Sequence, residues 1–463
     1  MKRALKILGI GLLILLAIPV VLYAAVALYN LRDDDLVPDA AKLLSIAPAP
    51  IPAGENGYFA WIGVVGPEIE PPDAWGKRWF EEALAADKQA AGTDGGAKLA
   101  IESEKRKDGL DSKLVPCSKP ETCLTEVAAR PEFARAALAK GSVTLARCDA
   151  AIAYPAYQEA WRPDFSAASS FPSYPALWRQ LSATRFALAV TENRHDEALK
   201  QLGMEMAFHT RQMQGAVTLI EKLVALGYLR NDYLLLNHYL LRHPEAARLR
   251  AEDIAVLLAP LPPDAGSMST VMETEWLWGA RLVSSLQADI TSTLRRNALE
   301  ESQAITLGGR IADTLAFPLF LPNATTNEFY RQRSPLFVVD SQSGPAYRQA
   351  LADVKQQREQ ERKSSVYALR NPIGHILVLV GAADFGSYFL KRDDLLVLQA
   401  AVALQFELLR QDVTDANAVA QAITAAGLAH PYTGATPTWD AATRTLTYAA
   451  LPERKNETLG ISL

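Results

Sequence analysis

The stretch LKILGIGLLILLAIPVVLYAAVALY, Leu5–Tyr29, decides how the rest of the chain is read. From Ile7 to Tyr29 no residue carries a charge, and nearly all are Leu, Ile, Val, Ala or Gly. As a helix rising about 1.5 Å per residue, this run reaches about 35 Å, enough to cross a hydrocarbon core of about 30 Å. Lys2, Arg3 and Lys6 precede it, and Asp33, Asp34 and Asp35 follow it. Basic residues stay on the cytoplasmic side of a membrane helix. The pattern therefore predicts a single-pass anchor in a bacterial inner membrane through residues 7–29, with the bulk of the chain periplasmic. A cleaved signal peptide shares this order of parts, and Ala25-Val26-Ala27 fits its small-residue cut site. The apolar run exceeds the roughly 7–15 residues of a signal peptide, and membrane helices tolerate a proline such as Pro19, which favours retention. Both readings export the remainder.

Working outward, the exported part is long enough for two or three domains, and 49% of the 463 residues are apolar, so it has the means to bury a core. Ala and Leu dominate, which favours helices. With 47 basic and 52 acidic residues the net charge is −5, the opposite of the basic footprint that a nucleic-acid partner requires. The most basic run, Lys355–Lys363, mixes signs, and Glu359 and Lys363 pair at i,i+4 as on a solvated helix face.

Cys117, Cys123 and Cys148 are the three cysteines. Outside the cytoplasm, closely spaced cysteines oxidise rather than bind metal. CSKPETC closes a short loop, and a Cys117–Cys123 bond there stabilises the fold by roughly 2 kcal/mol. A pairing that uses Cys148 is the alternative; otherwise Cys148 is a buried thiol in the helical-looking VTLARCDAAIA.

The organisation expected is mainly α: residues 1–31 as tip and transmembrane anchor, 32–56 as a proline-rich extended tether, 57–150 as an N-terminal exported region with the cysteine loop, 151–429 as an irregular multi-helix core, and 430–463 as a small β-hairpin appendage and tail. In the region 57–150 GYFAWIGVVG reads as a short strand or buried turn. Asp73 caps a helix that places Trp75, Trp79, Ala83 and Ala86 on one face. Loops are expected over 92–113 and 162–175. The core reads as helices over 176–194, 196–213, 216–228, 232–242, 251–259, 268–293 and 344–369. In the second of these, Leu199, Leu202, Met206, His209 and Met213 form an amphipathic stripe. LAFPLFLPNATTNEF reads as a buried connector. Asn371 caps a further helix with Pro372 at its first position, and both 376–380 and 395–409 read as core helices. Turn residues and the Asp440–Thr443 corner predict a hairpin with Trp439, Leu446 and Tyr448 on one face. The helices around 176–213 do not fit the tetratricopeptide template: with Ala198 at its small position, Ser182 and Arg185 fall where an aromatic and a Leu belong.

CSKPETCLTEV, RNPIGHILVLVGAADFGSYFLKRDDL and HPYTGATPTWDAATRTLTY, in that order, resemble a family of uncharacterised, membrane-anchored periplasmic proteins of Gram-negative bacteria. The resemblance spans most of the exported region and implies a helical periplasmic domain; it carries no activity, cofactor or catalytic residue. His430 stands where such proteins tend to have Asp.

The sequence carries little recognisable chemistry. His195, His209, His238, His243, His375 and His430 form no HExxH and no i,i+4 ligand pair, and no GxSxG, Walker or GxGxxG motif occurs. No catalytic, cofactor-binding or metal residue is assigned, and the site assignment rests on Cys117 and Cys123 alone. The best-placed carboxylates for glycan cleavage are Glu68 and Glu70, beside Trp61 and Trp75; Glu273 and Glu275 sit on different faces of a helix. One helix face cannot bury both Trp276 and Trp278. The function expected is a membrane-anchored periplasmic protein that binds or supports an envelope protein partner, with an envelope hydrolase or lyase, or a binder of a lipid-like ligand, as alternatives.

Overall fold

The computed structural model describes residues 2–45, 52, 54–90, 99–106, 111–160, 177–299, 315, 317–364, 369–381, 385–431, 433–448 and 459–463. The loop expected over 162–175 lies outside these residues, as does part of that expected over 92–113.

The first helix, α1 (Lys2–Tyr29), is continuous through Pro19. Its side chains are described at Leu15 and from Ala17 onward. Among the described residues no helix is long and apolar enough to cross a membrane.

Residues 33–44 do not form an extended tether. Val37 precedes a helix, α2 (Pro38–Leu44), whose Ala40 is fully buried. Proline at its first position explains the change: its fixed φ disfavours nothing in a first helical turn and needs no N–H there.

GYFAWIGVVG is helical rather than a strand or simple turn. Asn56 accepts a hydrogen bond from the Tyr58 N–H and so starts α3 (Gly57–Ile62). The next helix, α4 (Pro72–Ala90), crosses α3 so closely that a Cβ on Gly76 would lie 1.9 Å from the Phe59 carbonyl oxygen. The predicted face is buried through Trp75, Trp79 and Ala83, while Pro72, not Asp73, opens the helix.

After the cysteine loop come α5 (Cys123–Ala129), α6 (Pro131–Lys140) and α7 (Ser142–Ile152), then α8 (Trp178–Thr191) and α9 (His195–Gly215). All five residues of the predicted α9 stripe are buried. The two helices expected over 216–242 are one, α10 (Leu219–Arg242), since Gly227 to Asn231 carry no breaker strong enough to stop a helix packed on several sides. It is the axis of the body. It packs on α5, α9, α12 (Ser269–Leu299) and α16 (Gly386–Arg410). Between α10 and α12 lies α11 (Ala251–Leu257).

Further helices are α13 (Pro322–Phe337), α14 (Gly344–Ser364), α15 (Pro372–Val380) and α17 (Ala416–Ala425). Residues 376–380 are helical but do not form a core helix. Within α15 only Gly374 and Val378 are buried, and Ile376, Leu377 and Val380 face outward. The predicted buried connector is divided likewise: Phe320 and Leu321 are buried, Leu315 is exposed, and α13 begins inside it. Arg392 on α16 bonds Asp393, Asp340 and the Tyr347 hydroxyl, joining α16, α14 and the turn between α13 and α14.

The chain ends in a small antiparallel sheet of three strands, not a two-stranded hairpin. β1 (Thr438–Asp440) pairs with β2 (Thr445–Tyr448), which pairs with β3 (Leu459–Ser462). β3 supplies Ile461 opposite Leu446, and both are buried with Tyr448 against the helices. A two-stranded ribbon is marginal in water, and the third strand and the helical floor remedy that.

Candidate functional site at the base of the N-terminal helix

The described part of α1 touches the body along one stripe. Tyr23, Val26, Ala27 and Asn30 follow the i, i+3, i+4, i+7 spacing of a single helix face and are the partly or fully covered positions from Val20 to Asn30. Elsewhere its apolar side chains are uncovered: Leu15, Ile18, Val20, Val21, Leu22 and Leu28 are each at least half exposed.

At the end of that stripe Asn30 is buried and fully engaged. Its Nδ2 donates to the carbonyls of Val26 (2.7 Å) and Leu369 (2.8 Å), and its Oδ1 accepts the Asn371 N–H (2.6 Å). Asn371 has φ 52°, a left-handed conformation that asparagine tolerates better than most residues. Its side chain does not cap α15 as the sequence predicts. Instead Oδ1 accepts the Leu321 N–H (2.8 Å) and Nδ2 donates to Thr325 Oγ1 (2.9 Å). A side chain at Gly374 would collide with both Thr325 and Asn371.

The flanking charges complete this clamp. The Arg370 guanidinium donates to the Tyr29 carbonyl (3.0 Å) and the Arg32 carbonyl (2.8 Å), and pairs with Asp34. A cation on the last carbonyl of α1, that of Tyr29, satisfies a group that a helix end leaves open. The Asp33 carboxylate accepts the N–H groups of Asn323 (2.8 Å) and Ala324 (3.0 Å), capping α13 from nearly three hundred residues away. Asn327 then accepts the Val37 N–H and donates to the Asp35 carbonyl. The body thus grips residues 29–37 by their backbone. Beside the clamp a cleft of about 240 Å³ is lined by Leu31, Pro318, Phe320 and Leu321, with Asn30 and Asp33 at its polar side.

The sequence candidates lie elsewhere. Cys117 and Cys123 are at disulfide-bonding distance, buried against α8 and α10. Cys148 is a buried thiol whose pKa burial pushes well up, away from the reactive thiolate. Glu68 is exposed, and Glu70 pairs with Arg78 at 2.6 Å. That hydrogen bond holds Glu70 below the usual carboxylate range, the reverse of what a general acid needs. Trp61 and Trp75 are both fully buried rather than lining a groove beside it. Trp276 is buried and Trp278 only partly so, as the spacing requires. The Glu275 carboxylate accepts the Leu219 N–H, while Glu273 is half-buried.

His195 and His243 meet edge to face at 4.9 Å while the other histidines are dispersed, and among the described residues no group of three or more His, Cys, Asp or Glu is arranged to hold a metal. His209 is stacked on Tyr228 at 4.8 Å between Trp61 and Trp178, with Nδ1 bonded to Gln212. Burial lowers its pKa to about 4, so it is neutral at pH 7. His238 meets the Pro120 carbonyl of the cysteine loop, His375 pairs with Glu328, and His430 with Asp394.

Two buried acid pairs were not foreseen. Glu205 and Asp232 line a cleft of only about 10 Å³, room for a single water at most. Burial raises both pKa values, and the charge of Glu205 adds to the shift at Asp232. Glu159 accepts the Val217 and Thr218 N–H groups and is pushed up to about 8, by burial first and by Glu221 second. Glu221 accepts from Tyr157 and Gln212. These acids belong to different helices and loops, so no local spacing signals them.

Compared with protein-family models, curated proteins and solved structures, the chain matches none.

Proposed function

We propose that this is a bacterial inner-membrane protein anchored by one N-terminal helix through residues 7–29, with its helical body on the periplasmic side, where it binds or supports other envelope proteins. The observation that carries the reading is the uncovered apolar surface around α1 set against the tight grip on residues 29–37. An apolar helix bare on most of its circumference is suited to lipid rather than water. The charge order across it, Lys2, Arg3 and Lys6 before and Asp33–Asp35 after, supports the outward orientation. A fixed joint at the base supports a body held at one attitude to the bilayer, as a platform needs. The outward apolar ridge of α15, Ile376, Leu377 and Val380, supports contact with a protein partner.

The test is crosslinking and affinity capture of the full-length chain from native envelopes, with a reporter fused at the C-terminus to read topology. A reproducible envelope partner, lost when Ile376 and Val380 are both changed to Ser, is the expected result. Recovery of the chain alone overturns the platform role, and a reporter active only in the cytosol overturns the anchor.

The cleft beside Asn30 favours a second reading, binding of a lipid-like ligand. Its apolar wall and polar edge match a molecule with a greasy body and a polar head. Mass spectrometry of lipids retained by the purified full-length chain tests it; a stoichiometric lipid lost on Phe320→Ser supports it, and none retained overturns it.

A further inference from the structure

The stretch between α12 and α13 meets α1 well above the clamp. The Tyr23 hydroxyl donates to the Leu315 carbonyl at 3.0 Å. Tyr23 comes six residues before Tyr29, the last residue of α1, which is about 9 Å along the helix at 1.5 Å per residue. Its Cβ also tilts toward the helix N-terminus, carrying the hydroxyl further the same way.

From Leu315 the chain passes through a 3-10 turn, Phe317–Leu319, that packs on α1, and reaches the clamp at Leu321, whose N–H bonds Asn371. It therefore runs alongside the last two turns of α1. Its sequence, LAFPLFL, has no polar side chain, and Pro318 removes one backbone donor. Leu315 is 46% exposed, and Leu31 and Leu369 at the base are more exposed still.

We infer that Leu315 and the Phe317–Leu319 turn enter the outer leaflet beside α1, so that the body is held to the bilayer by two elements. The inference rests on the anchor reading above and goes beyond it. Within residues 7–29, Tyr23 and Tyr29 are the only ones whose side chains carry a hydrogen-bonding group. One of the two is committed to a backbone carbonyl of the body. In water that bond is dispensable, because solvent serves the carbonyl equally well; in hydrocarbon an unpaired carbonyl costs several kcal/mol. The occupant of the surrounding surface is the acyl-chain region of the phospholipids that also surround α1. The cleft beside it is lined by apolar Leu31, Pro318, Phe320 and Leu321 together with polar Asn30, Asp33 and Gln287, a mixture suited to the boundary of a leaflet.

The test uses the full-length chain in phosphatidylcholine nanodiscs, with an environment-sensitive fluorophore on a single added cysteine. Cys148 is buried and Cys117 and Cys123 are paired, so labelling is confined to the new site. Leu315→Cys is compared with Leu22→Cys on α1 and Val256→Cys on α11, an exposed position on a helix that packs on α9 and α16. Brominated acyl chains are expected to quench the labels at 315 and 22, and aqueous iodide the label at 256. A label at 315 quenched by iodide, while 22 answers to the lipid, overturns the inference and leaves the anchor standing. Iodide quenching at both 315 and 22 defeats the anchor reading and this inference with it.

Discussion

Asn30 concentrates in one side chain the attachment of the N-terminal helix. Its amide serves the Val26 carbonyl of its own helix and, more than three hundred residues along the chain, the Leu369 carbonyl and the buried Asn371 N–H. Asn30→Ala leaves the Leu369 carbonyl and the Asn371 N–H unpaired, a loss of about 2 kcal/mol. Hydrogen exchange at the Asn371 amide, read by mass spectrometry, is expected to accelerate while exchange in α10 is unchanged. Glu159 makes a different kind of prediction. Its folded-state pKa near 8 lies above the unfolded value, so the folded chain holds a proton that the unfolded chain releases. Stability from this group is complete below about pH 4.5 and declines as pH rises to about 8. Glu159→Gln keeps an acceptor for Val217 and Thr218 and cannot ionise. Urea denaturation between pH 6.5 and 8 should therefore show a shallower fall for the variant, by roughly 1 kcal/mol per pH unit. His209 does not disturb that window: its depressed pKa costs stability only as pH falls from about 6.5 toward about 4.

At the scale of elements, two joints are exposed to single changes. The α3–α4 crossing depends on Gly76, where a methyl group would meet the Phe59 carbonyl at 1.9 Å. Backbone, unlike a side-chain end, cannot swing aside, and Gly76→Ala is expected to cost about 3 kcal/mol or more. Loss of the α3–α4 packing, read by proteolysis between Asn56 and Ala90, checks it. The cysteine loop docks the start of α5 on α8 and α10. Cys117→Ser with Cys123→Ser should lower stability by about 2 kcal/mol, since the unfolded chain regains the freedom that the bond removes. Equal denaturation midpoints for reduced and oxidised wild-type chain would show that the bond contributes nothing.

For the molecule as a whole, the N-terminal helix and the body behave as parts of one joint. Cleavage after Ala27 would discard Tyr23 and its bond to Leu315 but spare Asn30. Retention of the helix predicts that intact-mass measurement on protein extracted from membranes finds a chain that still includes Tyr23. The outward ridge of α15 begins at the same clamp, so a partner bound there would sense the attitude of the body to the bilayer.

Much of the helical plan could be read in advance because helix formation is a local matter. The α9 stripe from Leu199 to Met213, the buried Trp75–Trp79 face, the close cysteines and the unequal burial of Trp276 and Trp278 all follow from spacing within a few turns. Periodicity says which face is apolar and not what covers it. The apolar run 376–380 resembled a core helix for that reason, and only the placement of α15 beside α13 leaves Ile376 and Val380 bare. Likewise Asn371 read as a cap, yet its side chain serves Leu321 and Thr325, and residues 33–37 read as tether, yet they close on a helix nearly three hundred positions later. The third strand and the buried acids Glu159, Glu205 and Asp232 also arise from segments that meet only in the folded chain. The sequence by itself determined where backbone hydrogen bonds are satisfied locally. Tertiary structure alone decided which polar groups, left over at helix ends and loops, found each other, because in a buried setting every such group must have a partner and the nearest one in space is seldom the nearest along the chain.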